Sequence, residues 1–110
     1  MRLGCCGSVE QAGEIKAAGF DFLEVNVQHL LQGDIPSAQW EAAAPDWDAL
    51  PLPIEAANCL VPGHHPVVGP KRNLTALQDY MQRVAKRAQQ VGIKRLVFGS
   101  GGARKRPEDV

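Results

Sequence analysis

This chain has no excess charge of either sign. Its 12 Lys and Arg residues balance 12 Asp and Glu, for a formal net charge of +0. That balance argues against a general nucleic-acid binder, which needs a basic footprint, and it favours self-association over repulsion. No apolar run approaches the ~20 residues that cross a bilayer, so no membrane partner is expected. The apolar stretch at Met1–Cys6 is too short for a signal peptide. Cysteine is sparse and odd in number: Cys5, Cys6 and Cys59 make three. With no framework spacing they argue against a disulfide scaffold and for free thiols in a reducing cytoplasm. Cys5 and Cys6 lack a CxxC partner and read as strand thiols rather than metal ligands. Disorder is excluded too, because 45% of the 110 residues are hydrophobic, enough for one small domain with a core.

What the chain does contain is a regular alternation of strand and helix signals. Leu3–Cys6 reads as a short strand. Ser8 and Gln11 have capping-box spacing, and the helix they open turns Val9, Ala12 and Ile15 inward before Gly19 ends it. Phe20–Val27 reads as a second strand, with Leu23, Val25 and Val27 on one face and Phe22, Glu24 and Asn26 on the other. Asp34-Ile35-Pro36 looks like a helix start, continued over Ser37–Ala44 and ended by Pro45. Pro51-Leu52-Pro53 leads into a third strand, Ile54–Cys59. Pro62-Gly63-His64-His65-Pro66 is a loop, because its prolines exclude regular structure. Thr75 and Gln78 again have capping-box spacing. Leu74, Leu77, Met81, Val84, Ala88 and Val91 then form one apolar helical stripe, closed by Gly92. Leu96–Phe98 reads as the fourth strand. The order β-α-β-α-β-α-β predicts an α/β domain over residues 1–110, with parallel strands in order 1-2-3-4 and right-handed crossovers.

The fourth strand runs into Gly99-Ser100-Gly101-Gly102, a junction of the kind that offers backbone N–H groups to phosphates or carboxylates. Arg104 is placed to close over such a ligand with a bidentate fork. No Lys-Ser/Thr follows at Walker spacing, and no further βα unit follows to make a dinucleotide fingerprint. A flexible tail is the alternative reading. The run Arg104-Lys105-Arg106 beside Glu108 and Asp109 reads as a solvated end. Since the loop arrives with no helix behind it, the sequence looks like the first part of a larger α/β architecture.

Three segments carry a family resemblance. They are Gly19-Phe20-Asp21-Phe22-Leu23-Glu24-Val25, Ala56-Ala57-Asn58-Cys59-Leu60-Val61-Pro62-Gly63, and Val91 through Arg104. In this order they resemble the second, third and fourth strands of sugar phosphate isomerase/epimerase-like proteins, the xylose isomerase-like TIM barrels. The resemblance covers essentially the whole chain. It implies half of a (β/α)8 barrel, a fold of ~250 residues and eight βα units when whole. It also implies proton transfer next to a carbonyl of a sugar or sugar phosphate. A divalent metal such as Mn2+ or Zn2+ would assist, but only where a complete site is assembled, because the family's carboxylate and histidine ligands lie mainly on later strands. No metal ligand and no catalytic residue is assigned within this chain.

In such a barrel the C-terminal strand ends form the active face. There the candidate substrate-binding residues are Glu24, Asn58, His64, His65, Ser100, Gly101, Gly102 and Arg104. Glu24 reads either as an acceptor for a sugar hydroxyl or as half of an ion pair with Arg95 or Arg2. His64 and His65 can shuttle protons or ligate metal, but adjacent histidines need further ligands to hold one ion, and a solvent-exposed pair is the alternative. His29 reads as a surface or helix-packing residue. Lys71 and Arg72 read as a phosphate contact or as a solvated turn. Four parallel strands would leave two open edges and an uncovered face carrying Phe22, Leu96 and Phe98, or their strand neighbours if the register slips by one. A homodimer that closes eight strands is therefore expected. Two functions stay open: an isomerase or epimerase unit that needs a second half, and a non-catalytic half-barrel binding or structural module.

Overall fold

The computed structural model describes residues 1–108; Asp109 of the expected solvated end lies outside the described residues. Four strands form one parallel sheet: β1 (Gly4–Cys6), β2 (Phe22–Asn26), β3 (Ile54–Asn58) and β4 (Arg95–Leu96), in the order β1-β2-β3-β4. A 3-10 turn at Val9–Gln11 and helix α1 (Ala12–Ala17) join β1 to β2. Helices α2 (Val27–Leu30) and α3 (Ser37–Ala43) and a 3-10 turn at Trp47–Ala49 lie between β2 and β3, and α4 (Leu74–Val91) precedes β4. Right-handed crossovers are the rule between parallel strands that are successive neighbours, and in the order β1-β2-β3-β4 they carry the connecting helices to one face of the sheet.

The burial pattern follows from that one-sided cover. Leu23 and Val25 of β2 and Ile54 and Ala57 of β3 are buried with Tyr80, Val84 and Ala88 of α4. Phe22, Glu24 and Asn26, on the opposite side of β2, are only half-buried. Parallel partners share a face. Leu96 pairs with Ala57, so it packs on the helix-covered core and not on the uncovered face that the sequence suggested for it. Its neighbour Val97 takes that place, 45% exposed, with its N–H bonded to Ala57 O at 2.7 Å. The one-residue slip is set by the register of β4 on β3, which puts Leu96 opposite Ala57. In β3 the register shifts against β2 between Leu23 and Glu24. The extra residue is Glu55, since Leu23 faces Ile54 while Glu24 faces Ala56.

Helix α4 carries the strongest local signals. Its N-cap is Asn73, whose side chain accepts from Ala76 N at 3.0 Å, so the capping-box spacing at Thr75 lies two residues inside the helix. Gly92 ends it in the left-handed region at φ 94°, where a Cβ would be strained. Leu74, expected on the apolar stripe, is 53% exposed, at the first position of the helix. Arg87 takes its place among the buried residues, along with Tyr80.

Candidate functional site

Two polar clusters stand out, and residues far apart in the chain build both. The first crosses three strands on the uncovered face. Pairing sets Cys6 beside Glu24 and Glu24 beside Ala56, with Asn58 one pleat further toward the C-terminal end of β3. Asn58 Nδ2 donates to Glu24 Oε2 at 2.9 Å, and the Cys6 thiol donates to the same oxygen at 3.3 Å. Both bonds use Oε2, which leaves Oε1 for another donor. The bond to Glu24 raises the Cys6 thiol above its ordinary range, with burial and the negative charge of Glu24 adding to it. Cys6 is therefore held as a thiol, a donor rather than a nucleophile. Neither Arg2 nor Arg95 pairs with Glu24. Arg2 instead bonds Glu55 at 2.8 Å and lies over the Phe22 ring at 5.5 Å. The bulge at Glu55 is what turns that carboxylate toward Arg2.

The second cluster lies in the loops that leave β2 and β3. His64 Nε2 is 2.7 Å from Asp34 Oδ2, and His65 Nε2 is 2.6 Å from Asp34 Oδ1. The two imidazoles thus grip one carboxylate from both sides, with ring centroids 4.6 Å apart. Burial pushes the Asp34 carboxyl up, but the hydrogen bonds from His65 and His64 and their positive potential outweigh it, so its pKa falls below the usual range. Asp34 was legible only as a helix start. The helix begins later, at Ser37, with Pro36 as its N-cap, and that leaves Asp34 in a loop.

Helix α4 fixes both loops. The Arg87 guanidinium, 2% exposed, donates to the carbonyls of Leu31 at 2.8 Å, Gln32 at 2.5 Å and Ile35 at 2.6 Å. These anchors flank Asp34 in the chain. Arg83 Nε donates to Gly33 O. A Cβ on Gly33 would lie 2.5 Å from the Tyr80 ring and 2.7 Å from Val84, so only glycine lets this backbone come so close to the helix. On the other loop, the His65 ring packs on Tyr80 with centroids 5.0 Å apart. The Tyr80 hydroxyl donates to Leu60 O at 2.6 Å. Its pKa is pushed up to about 12, because burial disfavours the phenolate and the Asp34 charge adds to that. His65 N bonds Pro62 O at 3.0 Å, closing the turn that presents both imidazoles. A cavity of about 370 Å³ lies beside the cluster, lined in part by Gln28, Asp34, Pro62, His64 and Tyr80.

The remaining candidates fall elsewhere. Ser100, at φ 45°, accepts from Val61 N through its Oγ at 2.9 Å and so ties the end of the fourth strand segment to the β3 loop. Gly101 and Gly102 are exposed beyond it. Arg104 turns back on its own loop: its Nε donates to Gly99 O at 2.7 Å and its guanidinium lies over Phe98 at 5.7 Å. Lys71 and Arg72 are exposed in the turn before α4. His29 is exposed on α2 and lines three of the surface cavities. Sequence reasoning missed Cys6, Asp34 and Arg87 as partners. The helix-start reading of Asp34 carried no signal of its pairing with the histidines. Comparison of the chain with protein-family models, curated proteins and solved structures gave no match.

Proposed function

We propose that this chain is one half of a (β/α)8 barrel of the sugar phosphate isomerase/epimerase kind, and that its uncovered sheet face takes a sugar or sugar phosphate. The observation that carries this reading is the cluster of Glu24, Asn58 and Cys6 on that face, at the C-terminal side of β1, β2 and β3. Ligands of parallel α/β sheets sit at that end. A carboxylate with one oxygen fixed by an amide and a thiol suits a polyhydroxylated ligand. Glu24 Oε1 would accept from a hydroxyl, or accept the proton that moves next to a carbonyl. Any Lewis-acid assistance would come from a complete metal site assembled with further strands.

The open face also supports completion by a second copy. Four parallel strands leave β1 and β4 with unpaired edges. Val97 and Phe98 beyond β4 are 45% and 47% exposed. A two-fold axis along the barrel would pair β4 of one copy with β1 of the other, twice, and close eight strands. Cys6 and Cys59, exposed free thiols, suit a reducing compartment such as the cytoplasm. A non-catalytic binding module is the second reading. It is favoured by the fact that Cys6 and Asn58 already donate to Glu24, so the polar set is partly satisfied without substrate.

Light scattering coupled to size exclusion is expected to give a dimer mass or an even multiple. Titration with a panel of sugar phosphates, followed by backbone NMR, is expected to shift the amides around Cys6, Glu24 and Asn58. Running the same panel in D2O separates the two readings, because an isomerase incorporates deuterium at the carbon next to the carbonyl and a binding module does not. A soluble monomer at high micromolar concentration, with no ligand bound more tightly than about 10 mM, would reject the half-barrel reading.

A further inference from the structure

We infer that Asp34, His64 and His65 form a binding site for a divalent transition metal of the zinc class. This goes beyond the sugar-binding reading and uses none of its three residues. Each side chain offers one ligand atom, and these atoms all lie within 4.8 Å of one another. A tetrahedral ion held at ~2.0–2.1 Å by each ligand keeps its donors about 3.4 Å apart. The histidine–carboxylate pairs at 2.7 and 2.6 Å need to open by about 0.8 Å, and the widest pair to close by at most about 1.4 Å. Rotation about side-chain bonds covers that distance without moving the main chain. Two imidazoles and a carboxylate are a donor set that suits Zn2+, Co2+ or Ni2+ and is a poor cage for Mg2+ or Ca2+, which prefer all-oxygen shells.

The support around the cluster resembles that of a built metal site more than a chance surface pair. Outer contacts that hold the ligands raise metal affinity by about 10- to 100-fold, and both ligand loops are held here. Arg87 secures the carbonyls of Leu31, Gln32 and Ile35 around Asp34. Gly33 sits against Tyr80 and Val84 with no room for a side chain. Tyr80 backs the His65 ring and anchors Leu60 upstream of it. The result is three ligands on two loops braced against one long helix, the kind of rigid base a preformed site requires. Three protein ligands leave a fourth position open, and the cavity of about 370 Å³ beside Asp34 and His64 has room for a water or a small anion there.

The test is a titration of the chelator-stripped full chain with Zn2+, followed by calorimetry. A Cys5→Ser, Cys6→Ser, Cys59→Ser variant serves as host, so that thiols do not compete for the ion. The expected result is one equivalent bound at about 10 µM or tighter, weakened about 100-fold or more by His64→Gln with His65→Gln, and at least about tenfold by Asp34→Asn. Co2+ in place of Zn2+ is expected to give the visible absorption of a tetrahedral N/O site. Proton NMR of the host chain needs no ligand-site variant: Zn2+ is expected to shift the imidazole signals of His64 and His65 and to leave those of His29 in place. No binding tighter than about 1 mM, or binding unchanged in the double histidine variant, overturns the site. So does a Zn2+ shift confined to His29. Loss of sugar-phosphate binding would leave this result standing, because the two clusters share no residue.

Discussion

Replacing Arg87 with methionine tests the central packing decision of this fold. The side chain is buried among apolar neighbours and makes three short bonds to main-chain carbonyls. Hydrogen bonds from a charged donor contribute roughly 1.5–3 kcal/mol each after exchange with water, so three set an upper bound of about 5–9 kcal/mol for a donor that is not fully buried. Against this stands the cost of removing a guanidinium from water, several kcal/mol. That cost shows in the depressed pKa of Arg87, caused first by burial and then by the nearby Arg83 charge, and in Nε, which has no hydrogen-bond partner. Contact with the Trp40 ring at 5.3 Å adds about 0.5–2 kcal/mol. Methionine keeps the apolar stem but strands the carbonyls of Leu31, Gln32 and Ile35. The net loss is expected at about 2–4 kcal/mol, a large share of a small domain's stability. Lysine, a single point donor where a fork is required, is expected to recover less than half of it. Urea unfolding followed by far-ultraviolet circular dichroism measures both. A loss below about 1 kcal/mol for methionine, with the loop around Asp34 unchanged by NMR, would refute the view that Arg87 organises this loop.

Three further outcomes follow from single observations. Gly33→Ala places a methyl group 2.5 Å from the Tyr80 ring and is expected to cost about 1–3 kcal/mol in the same unfolding assay; a neutral result would mean the loop stands off α4. Asn73→Ala removes the cap bond to Ala76 N and is expected to cost about 1 kcal/mol, whereas Thr75→Ala, at the second position of the helix, should stay within about 0.5 kcal/mol; the reverse order would move the helix start. In a Cys5→Ser, Cys59→Ser background, alkylation of Cys6 is expected to begin at a higher pH than for a free thiol, because the Glu24 bond and charge raise its pKa and only the thiolate reacts. Glu24→Gln removes the charge, lowers that pKa and should speed alkylation at a given pH; slower alkylation would contradict the contact.

Much of this architecture was legible in the sequence, because local rules write it. Alternation of period 2 and period 3.6 located all four strands and the long helix. Gly92 at φ 94° marked a helix end through a backbone requirement that only glycine meets cheaply. Burial of Leu23, Val25, Val84 and Ala88 followed from the same periodicities, and the strand order matched the expected 1-2-3-4. Tertiary structure alone decided the pairings across sequence distance. Asp34 meets histidines 30 and 31 residues away, and Glu24 chooses Asn58, 34 residues away, over either arginine. The bulge at Glu55 set that choice: one unpaired residue redirects a carboxylate toward Arg2 and brings Ala56 and Asn58 into line with β2. Arg87 illustrates the limit most clearly. The apolar stripe of α4 gives no sign of its burial, and only a loop with carbonyls turned inward makes burying it favourable. Periodicity reports which face of an element is apolar. It carries no information about which distant backbone atoms will be left in need of a donor.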